Sequence, residues 1–227
     1  MLRDSYKWIL DYADFKRWRD HTDDQSRLLW IKGDPGKGKT MLLIGIIDEL
    51  EQEVARLRQA APPSDPPASR PTVLSYFFCQ GTNSSLNNAT AVLRGLVYLL
   101  AAQQPSLAAR LRDEYGREGN KLFEGDNAFT ALSGILERML GDSSLARAYV
   151  VVDALDECEN GLQQLLKLIV ASTSGSRVKW IVSSRNRPEI EEPLEFAGHR
   201  ALSLELNRKS IAAAVDFYIC HKVSLLA

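Results

Sequence analysis

A chain of 227 residues, 45% hydrophobic and 25% charged, can bury one substantial core and has the balance of an ordinary globular protein. Its 28 basic and 29 acidic side chains leave a net charge of −1, which offers no electrostatic footprint for nucleic acid or an anionic membrane. Three scattered cysteines, Cys79, Cys158 and Cys220, exclude a disulfide framework or zinc spacing; without a signal-peptide core or a bilayer-length apolar run, a cytoplasmic protein is expected.

Residues 1–26 are polar with spaced aromatics, and Ile9, Tyr12 and Phe15 suit a helical stripe. Two readings of this lead-in segment stand open: packing on the core, or covering the base of a bound nucleotide. Leu28–Lys32 is the first predicted strand. It runs into Gly33-Asp34-Pro35-Gly36-Lys37-Gly38-Lys39-Thr40, after which Leu43, Ile46, Ile47, Leu50, Val54 and Leu57 mark the face of a helix from Lys39 to Arg58.

That octapeptide has the form G-x-x-x-x-G-K-[ST], a phosphate-binding loop in its strand–loop–helix setting. Glycines let the backbone N–H groups curl around phosphate oxygens, and the helix that follows aims its positive dipole end at them. All eight loop residues are candidate nucleotide contacts. Lys39 is expected on the β- and γ-phosphates and Thr40 on a magnesium ion, while Lys37 fits no required slot and reads as solvated.

Five prolines between residues 60 and 71 mark a surface insertion. Thr72–Cys79 reads as a second strand. Helices are expected at Asn88–Gln103, Ser106–Tyr115 and Asp126–Leu140, the last capped by Asp126 or Asn127. Ala148–Asp153 is a strand apolar on both faces, Gly161–Ala171 a helix, Val178–Ser183 and Ala201–Leu206 strands, and Ile211–Leu225 a closing helix. Trp30 and Trp180 read as core, and His21, His199 and His221 have no metal-ligand spacing. Strands alternating with helices predict an α/β fold with a parallel sheet wound on both faces.

Tyr149-Val150-Val151-Val152-Asp153 is an apolar strand ending in a carboxylate, the form of a Walker B element. Asp153 is expected at the strand's C-terminal edge, where it can hold magnesium. Asp156 and Glu157 follow closely. A carboxylate just past the metal ligand can orient the attacking water; Glu157 is the first choice and Asp156 the second. At the end of the next strand, Ser184 or Arg185 is placed to sense a γ-phosphate.

Gly33–Thr40 together with Asp153-Ala154-Leu155-Asp156-Glu157 resembles the NACHT domain of the STAND branch of P-loop NTPases. Asp4–Leu10, Leu29–Thr40 and Asp153–Cys158 are closest in wording to fungal NLR-like proteins, and Ser183-Ser184-Arg185 is similar to the family's sensor 1. The resemblance implies an AAA-like five-stranded sheet in the order 5-1-4-3-2, a Mg2+ cofactor with ATP or GTP, and nucleotide-controlled oligomerisation. It divides the chain into a lead-in, 1–26, and a NACHT domain, 27–227, with the insertion at 60–71. No effector-like segment is expected before Met1. No winged helix, lid or repeats are expected after Ala227, so the winged-helix histidine of many relatives has no counterpart here.

Three functions follow. The first is a slow Mg-dependent NTPase switch whose nucleotide state controls self-association, with other NLR-like chains as partners and no nucleic acid or membrane. The second is a nucleotide-binding interaction module, or a truncated fragment, with negligible hydrolysis, since turnover needs a closed site. The third, a small-molecule kinase, would need an arginine-bearing lid and an acceptor pocket, and has no use for the acidic pair.

Overall fold

The computed structural model describes residues 6–23, 26–60, 70–118, 125, 127–173, 177–196, 200–203 and 223. In chain order these form α1 (Trp8–Asp11), α2 (Ala13–Arg19), β1 (Leu28–Lys32), α3 (Lys39–Ala60), β2 (Thr72–Phe78), α4 (Ala89–Gln103), α5 (Pro105–Glu118) and α6 (Ala128–Leu140). They continue with β3 (Arg147–Asp153), a 3-10 turn (Leu155–Glu157), α7 (Leu162–Ser172), β4 (Val178–Ser184), α8 (Pro188–Phe196) and β5 (Arg200–Ser203).

Every strand pairing is parallel, and the sheet order β2-β3-β4-β1-β5, counted from the other edge, is the expected 5-1-4-3-2. Parallel strands need crossovers, and helices cover both faces. Side-chain alternation divides each strand between two apolar layers. Trp30, Val150, Val152, Trp180 and Val182 pack with α4, α6, α7 and α8. Leu29, Ile31, Tyr149, Val151, Ile181 and Leu202 pack with α1, α2 and α3. Trp30 and Trp180 are both core residues, as their strand positions suggest.

The lead-in helices belong to the second layer: Tyr6, Ile9, Phe15 and Trp18 are buried. Trp18 Nε1 donates to the Trp180 carbonyl at 2.8 Å. The Tyr6 ring lies over Gly45 of α3, so close that a Cβ at Gly45 would fall 2.2 Å from it. Fully buried Lys179, near the start of β4, donates to the carbonyls of Asp20 and Ser26, each at 2.8 Å, and of Asp23 at 3.4 Å. Burial, reinforced by Arg27, pulls its pKa down to about 8.

Two details depart from the expected elements. Helix α8 was not foreseen, because Pro188 and Pro193 argue against a helix. Pro188 opens it, where its missing N–H is no loss. Pro193 would leave the Glu189 carbonyl without a helical donor, and Gln163 Nε2 of α7 bonds it instead, at 3.0 Å. Asn127 makes no capping bond to α6, whereas Asn88 Oδ1 caps α4 through Ala91 N–H at 2.8 Å. Asp126, His199, Cys220, His221, residues 61–69 of the insertion, residues 204–206 and the expected closing helix apart from Val223 lie outside the described residues. No helix among the described residues is long and apolar enough to cross a membrane.

Candidate nucleotide-binding site

The connection from β1 leaves the sheet in one direction through α3, and that from β4 leaves in the other through α8. Ligands bind such sheets at the carboxyl ends of the strands where the direction reverses, here between β1 and β4. The predicted site residues converge on that edge. The glycine-rich loop follows β1, Asp153 ends β3, and Ser184 ends β4.

The loop is open. Gly36 and Gly38 have φ of +75° and +79°, and a Cβ at either would meet nothing within 4 Å. The positive φ, rather than crowding, is what requires glycine there. Asp34, Pro35, Gly36, Gly38 and Thr40 are exposed, Lys37 and Lys39 half-buried, and Gly33 buried. Gly33 N–H donates to the Ser184 carbonyl at 3.3 Å, and Asn186 Nδ2 reaches Asp34 Oδ1 at 3.4 Å, which ties the loop to the end of β4. Lys39 Nζ donates to the carbonyls of Gly33 and Asp34 at 2.5 and 3.0 Å, so its ammonium is folded over the loop.

Asp153 is buried at the base of the site. Its Oδ2 accepts from the Thr40 hydroxyl at 2.6 Å, and its Oδ1 accepts from the Ser183 hydroxyl. Ser183 also accepts from Ala154 N–H at 2.9 Å. Ala154 itself sits in the left-handed region at φ +55°, unusual for a residue with a side chain. The turn it makes starts the 3-10 segment that carries Asp156 and Glu157.

The two further carboxylates have different partners. Asp156 is buried; its Oδ1 accepts from Arg185 N–H at 2.9 Å, and its Oδ2 lies 3.1 Å from Arg185 Nε, off the line of a hydrogen bond. Glu157 Oε2 accepts from Gly81 N–H at 2.8 Å, and its Oε1 lies 3.6 Å from Arg185 Nη2. Arg185 therefore bridges the acidic pair with its side chain 43% exposed. Ser184 is buried instead. It accepts from Trp30 Nε1 at 2.9 Å and donates to the Arg185 carbonyl, so of the two expected sensors only Arg185 stands open to the site. Behind the carboxylates, burial and the acidic neighbours push the Cys79 thiol up, and burial raises Cys158 to about 11. Both buried thiols are thus disfavoured as thiolates.

The hydroxyl of Thr40 and the carboxylate of Asp153, meeting at 2.6 Å, are the hard oxygen donors that Mg2+ takes beside waters. Among the described residues no cluster of three or more His, Cys, Asp or Glu side chains suits a metal cage. The contacts of Ser183 with Asp153 and of Gly81 with Glu157 were not foreseen. Both depend on which strands lie side by side, and only the serine at an apolar strand end hinted at the first.

Residues 4–185 match the family model described as "Nephrocystin 3, N-terminal". The whole chain is 51% identical over 229 residues to "Vegetative incompatibility protein HET-E-1" of Podospora anserina, and spans 16% of that protein's length. Among solved structures it resembles "Structure of Drosophila ORC bound to DNA" at 16% identity and TM-score 0.49, covering 87% of this chain and 41% of that one. It also resembles the Aeropyrum pernix ORC1 protein in complex with DNA at 14% identity and TM-score 0.44, covering 84% and 44%. The chain belongs to the nephrocystin 3 N-terminal family. It is a NACHT-type nucleotide-binding module of the fungal NLR-like kind that its motifs resemble.

Proposed function

We propose that this family member is a Mg-dependent NTP switch, hydrolysing ATP or GTP slowly and self-associating according to the nucleotide it holds, with residues 27–227 as the nucleotide domain and 1–26 as its lead-in. The observation that carries the reading is the meeting of Thr40 with Asp153 at 2.6 Å beside an open loop and the N-terminus of α3. Gly33, Asp34, Pro35, Gly36, Lys37, Gly38, Lys39 and Thr40 would cradle the phosphates with backbone N–H groups. Lys39 would exchange its two loop carbonyls for phosphate oxygens, a stronger charge-assisted pairing. Thr40 and Asp153 would hold Mg2+, which when bound neutralises phosphate charge.

Glu157 is the favoured water-orienting base, because Gly81 N–H fixes one carboxylate oxygen and leaves the other facing Arg185. Asp156, buried and bonded to the Arg185 backbone, fits a positioning role better than a base. Arg185 is suited to trade Glu157 for a γ-phosphate oxygen.

The same Arg185–Glu157 contact favours a second reading, an interaction module without turnover, if the arginine keeps the carboxylate engaged when nucleotide is bound. Binding and turnover of ATP and GTP with magnesium decide between them. The switch predicts binding with slow hydrolysis that Glu157→Gln abolishes without loss of affinity. Binding with no hydrolysis selects the second reading, and an unchanged rate in Glu157→Gln refutes the role given to Glu157.

A further inference from the structure

Strand β2 is one edge of the sheet, and among the described residues no strand pairs with its outer side. Successive peptide groups alternate sides along a strand, so Leu74 and Tyr76 turn theirs outward. The Leu74 peptide is already matched by a side-chain amide. Gln103 Oε1 accepts from Leu74 N–H at 3.2 Å, and Gln103 Nε2 donates to the Leu74 carbonyl. That amide occupies the place of a neighbouring strand's peptide. Among the described residues no side-chain amide covers the Tyr76 peptide in this way. A row of outward peptide groups is a template for another strand.

The edge lies at the floor of a cavity of about 310 Å³ between α3 and α4, lined by Glu51, Val54, Arg58, Leu74, Tyr76 and Leu99 among others. Four large apolar side chains are exposed among the described residues, and two of them lie on the helices that wall this groove. Leu57 adjoins Arg58 on α3, and Tyr98, 68% exposed, adjoins Leu99 on α4.

The charges on α3 are self-complementary. Glu51 and Arg58 are seven residues apart, two turns or about 10 Å, too far to pair along their own helix. A two-fold axis running between two copies, level with Val54 and Ala55, would set each Glu51 against Arg58 of a second copy. The same axis passes near Ser75, because Glu51 and Tyr76 line the groove together and Arg58 reaches the Gln103 amide beside Leu74. Each uncovered Tyr76 peptide would then face Leu74 of the other strand, where Gln103 now stands in.

Resting on the self-association proposed above, we infer that the β2 edge with the flanking faces of α3 and α4 is an isologous interface, which a second copy of this chain occupies by antiparallel β2 pairing and reciprocal Glu51–Arg58 ion pairs. A two-fold contact counts each substitution twice.

Sedimentation of the whole chain over about 1 to 100 µM, with and without Mg-ATP, tests this, using Glu51→Arg and Arg58→Glu. Both positions are exposed and outside the nucleotide site, so retained nucleotide binding verifies that each variant is folded. Either variant alone is expected to weaken self-association by about tenfold or more. The double variant, and an equimolar mixture of the two single variants, should restore it, because the mixture pairs opposite charges at both contacts. Self-association that the single variants leave unchanged overturns this surface and leaves the switch intact. Loss in the single variants without recovery in the mixture overturns the reciprocal pairing. A wild-type chain that binds nucleotide but stays monomeric throughout overturns the interface, and absence of nucleotide binding overturns the switch itself.

Discussion

Gly45→Ala is a sharp test of how the lead-in is attached. In an open helix the exchange gains about 1 kcal/mol, because alanine is the better helix former. Here a Cβ at Gly45 would fall 2.2, 2.3 and 2.7 Å from Cγ, Cδ1 and Cδ2 of Tyr6, so the ring must leave. Tyr6 is 3% exposed, and losing that burial costs about 2–3 kcal/mol. Its hydroxyl donates to Glu49 at 3.3 Å, worth about 1 kcal/mol more. The net expectation is a loss of about 2–3 kcal/mol, or roughly 5–10 °C in the thermal midpoint for a chain of this size. In a Tyr6→Ala background the obstacle is gone, and the same Gly45→Ala exchange should stabilise by about 1 kcal/mol. Urea or thermal unfolding of the four chains gives a double-mutant cycle with a coupling of about 3–4 kcal/mol. A Gly45→Ala variant as stable as wild type, or an equal effect in both backgrounds, refutes the docking of Tyr6 on α3.

Lys39→Ala should remove measurable ATP and GTP binding while leaving the unfolding midpoint near wild type, because its bonds to the Gly33 and Asp34 carbonyls tie down an exposed loop rather than the core; retained affinity by calorimetry would contradict the phosphate-loop assignment. His21 is held down to about 4, first by burial and then by the charges of Arg147 and Lys179. The folded state thus resists its protonation, and the unfolded chain binds the extra proton as pH falls from about 6.5 to 4. Stability is present above pH 6.5 and lost across that window, by about 1–2 kcal/mol after discounting for solvent at a half-buried ring. His21→Gln should flatten that part of the stability–pH curve, and an unchanged slope would exclude His21 as its source. Ala154→Val should cost at least about 1–2 kcal/mol, since a β-branched side chain tolerates φ +55° poorly, whereas Ala154→Gly should be neutral or stabilising; equal melting temperatures for the two variants would argue against the strained turn.

How far the sequence could be read depended on whether a signal was local. The strands carrying the site are apolar on both faces and end in loops rich in polar residues and glycine, so β1 matched its expected bounds and β3 and β4 came within a residue of theirs. Thr40 and Asp153 were each expected at one magnesium ion from their motifs, and the fold brings the two side chains to 2.6 Å. By contrast, the partition of the acidic pair was hidden. The sequence ranked Glu157 ahead of Asp156 but gave neither a partner, and the position of Arg185 and of Gly81 N–H is what separates their roles. Ser183 and Ser184 alternate across β4, so one reaches Asp153 and the other Trp30, but which does which depends on the neighbouring strands. Helix α8 was illegible because its second proline is tolerated only through Gln163, a residue of another helix.

Lys179 has a practical corollary for anyone trimming this protein. Its ammonium is solvated almost entirely by peptide oxygens of residues 20–26, supplied by the segment that looks most dispensable. A chain begun at residue 27 would lose the apolar cover of Tyr6, Ile9, Phe15 and Trp18 and the three carbonyls that solvate the Lys179 ammonium at the foot of the central strand. Each large apolar side chain removed from that layer forfeits about 1.5–3 kcal/mol of burial, together a large part of an ordinary domain's total stability. A piece meant to fold is therefore expected to need residues well before the first strand, and an insoluble shorter version would report lost packing and solvation rather than a missing activity.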